Sequence, residues 1–366
     1  MCLEDLAILD DILRAVFPET GAEYFGGCSV ILFGDIAQLP PMSGHKCVIT
    51  STIPDLKAQA QHGFQCFSCF SEVYELRHVF RIDHTDAMAS RFNAMLSRIR
   101  HMSPTQDDID FLSGLSPSPD INIPLLLGST ALCTTRFCAS DYNFKAIQFL
   151  KSISSAPVYS VFTGMQEVLY AAIGARVVLL ENINIPAGLY SGALGTIQAI
   201  IYAQSPQFSC HPECIVVQFD NFLGPSLHPT EPRFVPVFPI KPSSSLGIHN
   251  IFPLQLAFGM TVYKCHSLTM KKIVVHLGNR ASMPGSLYVA LSRVKRFGDV
   301  QIAYLAPSLC FADFANMFSK RLLLAELIRL QKLSIATRAQ HFSLDVLAEL
   351  QMELQVLQDL MEQLEQ

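Results

Sequence analysis

Three segments of the chain hold residue types that could do chemistry. The first is Ile31-Leu32-Phe33-Gly34-Asp35-Ile36-Ala37-Gln38-Leu39-Pro40-Pro41. Its apolar opening, Ser29 to Phe33, reads as a buried strand stopped by Gly34-Asp35. A carboxylate leaving the carboxyl end of such a strand lies where α/β sheets bind ligands. Gln38 is neutral and both donates and accepts, which suits sensing a phosphate or a water. Pro40-Pro41 fixes the path of the exit loop. By itself the segment fits an ordinary strand-to-turn exit with an exposed Asp equally well.

The second segment is Tyr288-Val289-Ala290-Leu291-Ser292-Arg293. Arg stabilises charge on a transferring phosphoryl group, although a lone Arg after an apolar run is usually a solvated surface group. The third runs from Pro253 to Thr269. Its Thr261, Lys264, Ser267 and Thr269 offer the hydroxyls and the cation that grip a nucleic-acid backbone. His266 taken alone reads more readily as a hydrogen-bonded structural residue than as a catalyst. Two further groups have metal-ligand character: His62, Cys66 and Cys69 at H-x3-C-x2-C spacing, and Cys210, His211 and Cys214. Together they could form a zinc site. Buried thiols are common, and the expectation is no metal.

Elements must position these residues. Val73 to Phe80 alternates like a strand, and Ala175 to Leu180 and Ile273 to Leu277 read as buried strands. Asp86 to Arg100 carries Met88, Phe92, Met95, Leu96 and Ile99 near helical spacing, with Arg91, Arg98 and Arg100 for the other face. Ser103-Pro104 followed by Asp107-Asp108 is a helix start. Strands interleaved with helices argue for an α/β sheet. Strand-like Thr196 to Tyr202 and Cys214 to Phe219, with loops between them, form a small all-β unit, and Pro239 to Gly247 is its exit linker. After Phe342, leucines at 344, 347, 350, 354, 357, 360 and 364 fall at spacings of three and four, the pattern of an amphipathic helix that docks on the core or on a second copy.

The 366 residues carry a net charge of −5, with 16% charged and 50% hydrophobic residues. That excludes a largely disordered chain and a bulk basic surface, but not a local basic groove. Apolar runs stop short of a membrane helix, so no membrane partner is expected. Met1-Cys2-Leu3-Glu4-Asp5 has acid where a signal peptide needs base. The eleven scattered cysteines then read as reduced thiols of an intracellular protein, nuclear or cytoplasmic and not secreted.

In order along the chain, these segments resemble the RecD/Pif-type superfamily-1 DNA helicases, which include the helicases of Helitron elements. Gly34 to Pro41 is similar to motif III. Glu75-Leu76-Arg77-His78-Val79-Phe80-Arg81 resembles the arginine-bearing segment opening the second motor domain. Cys133-Thr134-Thr135 through Asn143 resembles the next motif. Gly174 to Asn182, then Gly188 to Gly195, follows the strand, Asn and glycine-rich turn. Thr261 to Thr269 resembles motif V, and Tyr288 to Arg293 resembles motif VI. The resemblance spans about residues 1–305.

It implies an α/β fold, a RecA-like P-loop NTPase motor. The expected layout is a remnant of the first RecA-like domain at 1–70 and a complete second domain at 71–195 and 251–310. A small β-barrel is inserted at 196–250, and 311–366 is a C-terminal helical tail. ATP and Mg2+ are the family's cofactors. Gly34, Asp35 and Gln38 are implied to face the nucleotide, with Gln38 sensing the γ-phosphate and Arg81 and Arg293 reaching it as arginine fingers. Asn143, Thr261, Lys264 and His266 are implied to contact single-stranded DNA. Self-association through the leucine-rich helix is a further expectation.

The chain also departs from the pattern. It contains no Gly-Lys pair for a phosphate loop and no Asp-Glu pair for magnesium. His266-Ser267 replaces the usual Gln-Gly of motif V, Ile82 replaces a polar residue after Arg81, and Leu194 replaces a basic or polar one. Met1 matches a Met just after the family's Asp-Glu pair. The expectation is therefore a truncated gene product or a decayed mobile-element helicase, inactive alone and prone to aggregate through an exposed sheet edge. The alternative is a non-enzymatic module binding single-stranded DNA or protein.

Overall fold

Glu4 and Asp5 lie in the first turn of helix α1 (Leu3–Val16) and Arg14 in its last, each matched to the helix dipole. The backbone N–H of Cys2 donates to Asp5 at 2.8 Å and closes the helix start. Helix α2 (Ala58–Ser68) packs against α1 so closely that a Cβ on Gly63 would lie 1.8 Å from the Leu3 carbonyl oxygen. Only glycine allows that approach. Leu6, Phe25 and Cys66 form the apolar centre of this pair.

These contacts come from a computed structural model describing residues 1–41, 57–76, 78–115, 128–154, 158–162, 168–202, 212–225, 233–241, 251–278, 285–305, 317–341 and 344–365. The chain divides into two units. Unit 1 comprises Met1–Phe111, Asn279–Val289 and Ala306–Gln366; unit 2 comprises Leu112–Gly278 and Ala290–Leu305. Residues 71–111 and the C-terminal tail therefore cluster with the amino-terminal segment.

In unit 1, helix α3 (Ala89–Arg100) buries Phe92, Met95, Leu96 and Ile99, the face its periodicity predicts. Helix α4 (Gln106–Ser113) starts from a reciprocal cap. The Asp108 N–H donates to Thr105 Oγ1 at 3.2 Å, and the Thr105 N–H donates to the Asp108 carboxylate at 2.9 Å.

Unit 2 is built on a parallel sheet. Strand β1 (Thr130–Cys133) is buried at all four positions, as a strand covered on both faces must be. It leads into α5 (Arg136–Ser154) and then a hairpin, β2 (Tyr159–Phe162) and β3 (Val168–Ala171). Strands β4 (Arg176–Leu179), β5 (Leu194–Ile201), β6 (Cys214–Phe219), β7 (Phe234–Val237) and β8 (Leu254–Leu256) form an antiparallel sheet in the order β7-β6-β5-β4-β8. The chain then returns through β9 (Gly259–Thr261) and β10 (Ile273–Gly278). It runs on through helix α6 (Ser286–Leu291), which straddles the boundary between the units, to β11 (Val300–Leu305). The parallel sheet has the order β11-β10-β1-β9. The inserted β unit thus takes in β4 and β8 and reaches from Arg176 to Leu256, beyond the 196–250 expected. Arg176 ties it together by pairing with Asp220 at 3.0 and 2.7 Å.

The leucine pattern after Phe342 is helical, as its spacing predicts. Helices α7 (Met317–His341) and α8 (Leu344–Glu365) form an antiparallel hairpin, with Gln331 donating to the Leu350 carbonyl at 3.3 Å. Leu357 packs on Leu323, Leu324 and Leu327, and this cluster covers Ala37 and Met102 of unit 1. Among the described residues, no helix is long and apolar enough to cross a membrane.

Two strand expectations fail. Ser29–Phe33 pairs with no described strand, with Ile31 76% and Phe33 85% exposed. Val30 and Leu32 point inward onto the α1–α2 cluster, so alternation survives without a ladder. Val73–Phe80 is likewise not a strand among its described residues. Instead the Val73 N–H donates to Thr337 Oγ1 at 3.1 Å, and Arg338 donates to the Glu75 carbonyl at 2.9 Å. The described part of 1–70 therefore presents no sheet edge. Residues 242–247 of the expected exit linker, Arg77, Cys210 and His211 lie outside the described residues.

Candidate functional site

The Gly34–Pro41 loop is a turn whose shape comes from Asp35. Its carboxylate accepts the Ala37 N–H at 3.0 Å, and its carbonyl accepts the Gln38 N–H at 3.1 Å. The same carboxylate is gripped bidentately by Arg100 from the end of α3, at 3.0 and 3.2 Å. Burial works against the Arg100 charge, but Asp35 outweighs it and holds the guanidinium pKa above its ordinary value. Next to it, burial and then the Arg100 charge push His101 down to about 4, so the ring is neutral and can accept from Arg100 at 3.2 Å. Asp35 is thus an anchored residue rather than a bare carboxylate at a sheet edge. Gly34 is exposed, with open space where its side chain would be.

Gln38 is half-buried, and its backbone carbonyl packs on Gly285. A Cβ there would lie 2.7 Å from that oxygen, and Gly285 has φ +84. Glycine at this point lets the loop abut the start of α6, the element leading towards Arg293. Arg81 is half-buried in the turn before Ile82, which is 5% exposed. Burial explains the apolar residue at position 82.

Arg293 belongs to unit 2 and is 2% exposed. Its guanidinium donates to Ser292 Oγ at 2.6 Å and to the Leu268 carbonyl at 3.4 Å, while its own carbonyl accepts the Met270 N–H at 2.8 Å. It therefore braces the 265–270 turn from within. Asn143 on α5 clamps β9: its Oδ1 accepts the Gly259 N–H at 2.8 Å, and its Nδ2 donates to the Gly259 carbonyl at 2.9 Å. Both ends of the amide serve the backbone, so its observed contacts are structural rather than directed at DNA.

Thr261 ends β9, and its carbonyl accepts the Lys264 N–H at 2.9 Å, opening a turn that exposes Lys264 and His266. The Lys264 ammonium bonds Gln255 Oε1. Ser267 follows at φ +76, in the left-handed region that favours glycine. Thr261, Lys264 and His266 thus share one turn at the carboxyl edge of the parallel sheet. The glycine-rich turn lies in the same unit. Gly188 and Gly192 have φ +85 and +105, and Asn182 accepts the Ser191 N–H at 2.8 Å.

The three residues of the H-x3-C-x2-C spacing do not converge. His62 and Cys66 face Asp10 on α1, whereas Cys69 is exposed and donates to the Gln65 carbonyl. Asp10 is fully buried and already bonded to Arg14 at 2.6 Å, to His62 at 2.8 Å and to the Phe25 N–H. Burial and the neighbouring Asp10 push the Cys66 thiol up to about 12. The set reads as a satisfied buried network. Sequence patterns missed Arg100 and Gly285, because neither lies within local range of the loop it holds.

No established family model matches the chain. "ATP-dependent DNA helicase PIF6" of Trypanosoma brucei brucei is 25% identical over 349 residues, covering 85% of this chain and 40% of that protein. The chain spans less than half the length of the known relatives it matches. The Pif1 helicase from Candida albicans shares the fold at TM-score 0.61, with 20% identity over 87% of this chain and 74% of that one. A structure describing DNA unwinding at forked dsDNA by two coordinating Pif1 helicases matches at TM-score 0.53 and 25% identity, covering 86% and 71%. In its RecA-like α/β fold, its ordered motifs and an alignment over more than four fifths of its length, the chain is similar to the Pif1-type superfamily-1 helicases.

Proposed function

We propose that these residues carry the nucleotide-responsive and DNA-tracking part of an ATP-dependent 5′-to-3′ DNA helicase, and that by themselves they do not turn over ATP. One observation carries the reading. Six motif segments keep family order through both units, while no Gly-Lys and no Asp-Glu pair occurs in the 366 residues. The residues present do not fit a magnesium nucleotide: Asp35 is paired with Arg100, and Arg293 is turned onto Leu268. The roles of Gln38 as γ-phosphate sensor and of Arg81 and Arg293 as fingers therefore belong to a motor in which a phosphate loop is supplied. Single-stranded DNA is the proposed ligand of the Thr261–His266 turn, bound weakly. We place the protein inside the cell, in nucleus or cytoplasm, in keeping with its free cysteines.

Phosphate release with and without single-stranded DNA tests the reading. The expected result is no release above a no-enzyme blank. DNA-stimulated release that disappears in Arg293→Ala would overturn it; release that survives that change identifies a contaminant.

A further inference from the structure

Cys133 ends β1, and Cys138 is the third residue of α5. Their sulfurs lie 3.1 Å apart, within about 1 Å of a disulfide bond length. Cys133 is fully buried, while Cys138 is partly exposed. No role derived above uses either thiol. We propose that Cys133 and Cys138 form a dithiol site that peroxide oxidises reversibly to a disulfide, with Cys138 as the reacting sulfur and Cys133 as the resolving one.

The surroundings of Cys138 favour its thiolate. It sits in the first turn of a 19-residue helix, whose free N–H groups attract negative charge. Thr135 Oγ1 accepts the Cys138 N–H at 3.2 Å and fixes that turn. His276 on β10 hydrogen-bonds the Cys138 sulfur, and the His276 ring is held by Tyr142, whose hydroxyl lies 2.8 Å from Nδ1. Asp141 on the same helix opposes the thiolate, but it is ion-paired with Lys145 at 2.7 Å. The Cys133 hydrogen bond, against burial and with help from His276, pushes the Cys138 thiol below its ordinary value. The same bond and burial push Cys133 upward, so the buried thiol keeps its proton.

The chemistry balances with one peroxide. The Cys138 thiolate attacks a peroxide oxygen; the O–O bond breaks, the departing hydroxide takes up from solvent the proton Cys138 had released and becomes water, and Cys138 becomes a sulfenic acid. The Cys133 sulfur then attacks Cys138. The S–S bond forms, the S–O bond breaks, and the departing hydroxide takes the Cys133 proton as a second water. Two thiols lose two electrons, and peroxide is reduced to two waters. A dithiol reductant reverses the change by exchange. In the sheet, Cys133 is in register with both His276 and Thr261, so the new bond would staple the start of α5 to the strand beside the Thr261 turn.

The full chain, reduced and desalted, is exposed to hydrogen peroxide, alkylated, digested and mapped by mass spectrometry. The expected result is a 133–138 disulfide that dithiothreitol removes, while exposed Cys69 remains alkylated. In Cys133→Ser, dimedone should trap a sulfenic acid on Cys138. In His276→Gln, the reaction at Cys138 should slow roughly tenfold near pH 6, as thiolate is lost. Free thiols at both positions after a dose that oxidises Cys69 would overturn the proposal, and that readout needs no variant to fold. Equal oxidation of Cys133 in Cys138→Ser would overturn it as well.

Discussion

Ser267 has its backbone at φ +76, where an L side chain is strained by about 1–2 kcal/mol. It stands where the resembled motif has glycine. Ser267→Gly removes the strain and adds freedom to the unfolded chain, a net gain of about 0.5–1 kcal/mol. Urea unfolding should show a higher midpoint at unchanged slope. Asn143→Ala should act the other way. It deletes both bonds to Gly259 and leaves a backbone N–H without its partner, at a cost of about 1–3 kcal/mol. Thermal melts of the two variants read the opposite signs. At this scale the sequence disclosed residue types but not their partners. Asp35, Gln38 and Arg293 were legible as chemical groups, yet Arg100 lies 65 residues from Asp35, and Gly259 lies 116 from Asn143. Spacing rules carry no information about pairs that distant.

Elements were more legible where a local rule decides them. Helix α3 follows from its apolar period, and α4 follows from a cap within four residues. Asp108 extends that cap into a bidentate pair with Arg98 at 2.6 and 2.7 Å. Arg98, and then the Thr105 bonds against burial, pull the Asp108 carboxyl down to about 2. Its unfolded pKa is about 4, so the native state favours the ionised form. The stability it contributes is complete above about pH 4 and is lost as pH falls through about 2. Arg98 is 37% exposed, so water screens the pair and about 1–2 kcal/mol remains. Asp108→Asn should cost that much at pH 7 and almost nothing near pH 2 in chemical denaturation. The segment 29–33 was misread because an apolar run states burial tendency, whereas a strand needs a neighbour to bond. Its alternation, with Val30 and Leu32 in and Ile31 and Phe33 out, was present but says nothing about a ladder.

For the whole molecule, a net charge of −5 limits how any DNA contact can work. Single strands return about 0.7 of salt slope per phosphate contact. With Lys264 as the cation of the Thr261–His266 turn, the slope of log K against log salt should be shallow, and Lys264→Ala should reduce it by about 0.7. Fluorescence anisotropy with a labelled oligonucleotide measures it; tight binding that persists at high salt would move the interaction surface elsewhere. The α/β class was legible because strand and helix patterns alternate along the chain. The division into units was not, because unit 1 is assembled from segments at the two ends of the sequence and one between them.

That assembly fixes an order of events during synthesis. The ribosome delivers Ala37 and Met102 before the leucines that cover them, Leu323, Leu324, Leu327 and Leu357. About 200 residues separate α3 from α7, which at typical elongation rates is roughly 10–40 s. Through that interval the first unit has no hairpin to close it, while the contiguous 112–278 stretch of unit 2 can already pair its strands. A chain stopped before Met317 should therefore protect its β1–β10 amides from hydrogen exchange and leave α1–α3 unprotected. The nascent 1–111 segment is a client for any holdase at the tunnel exit until α8 emerges.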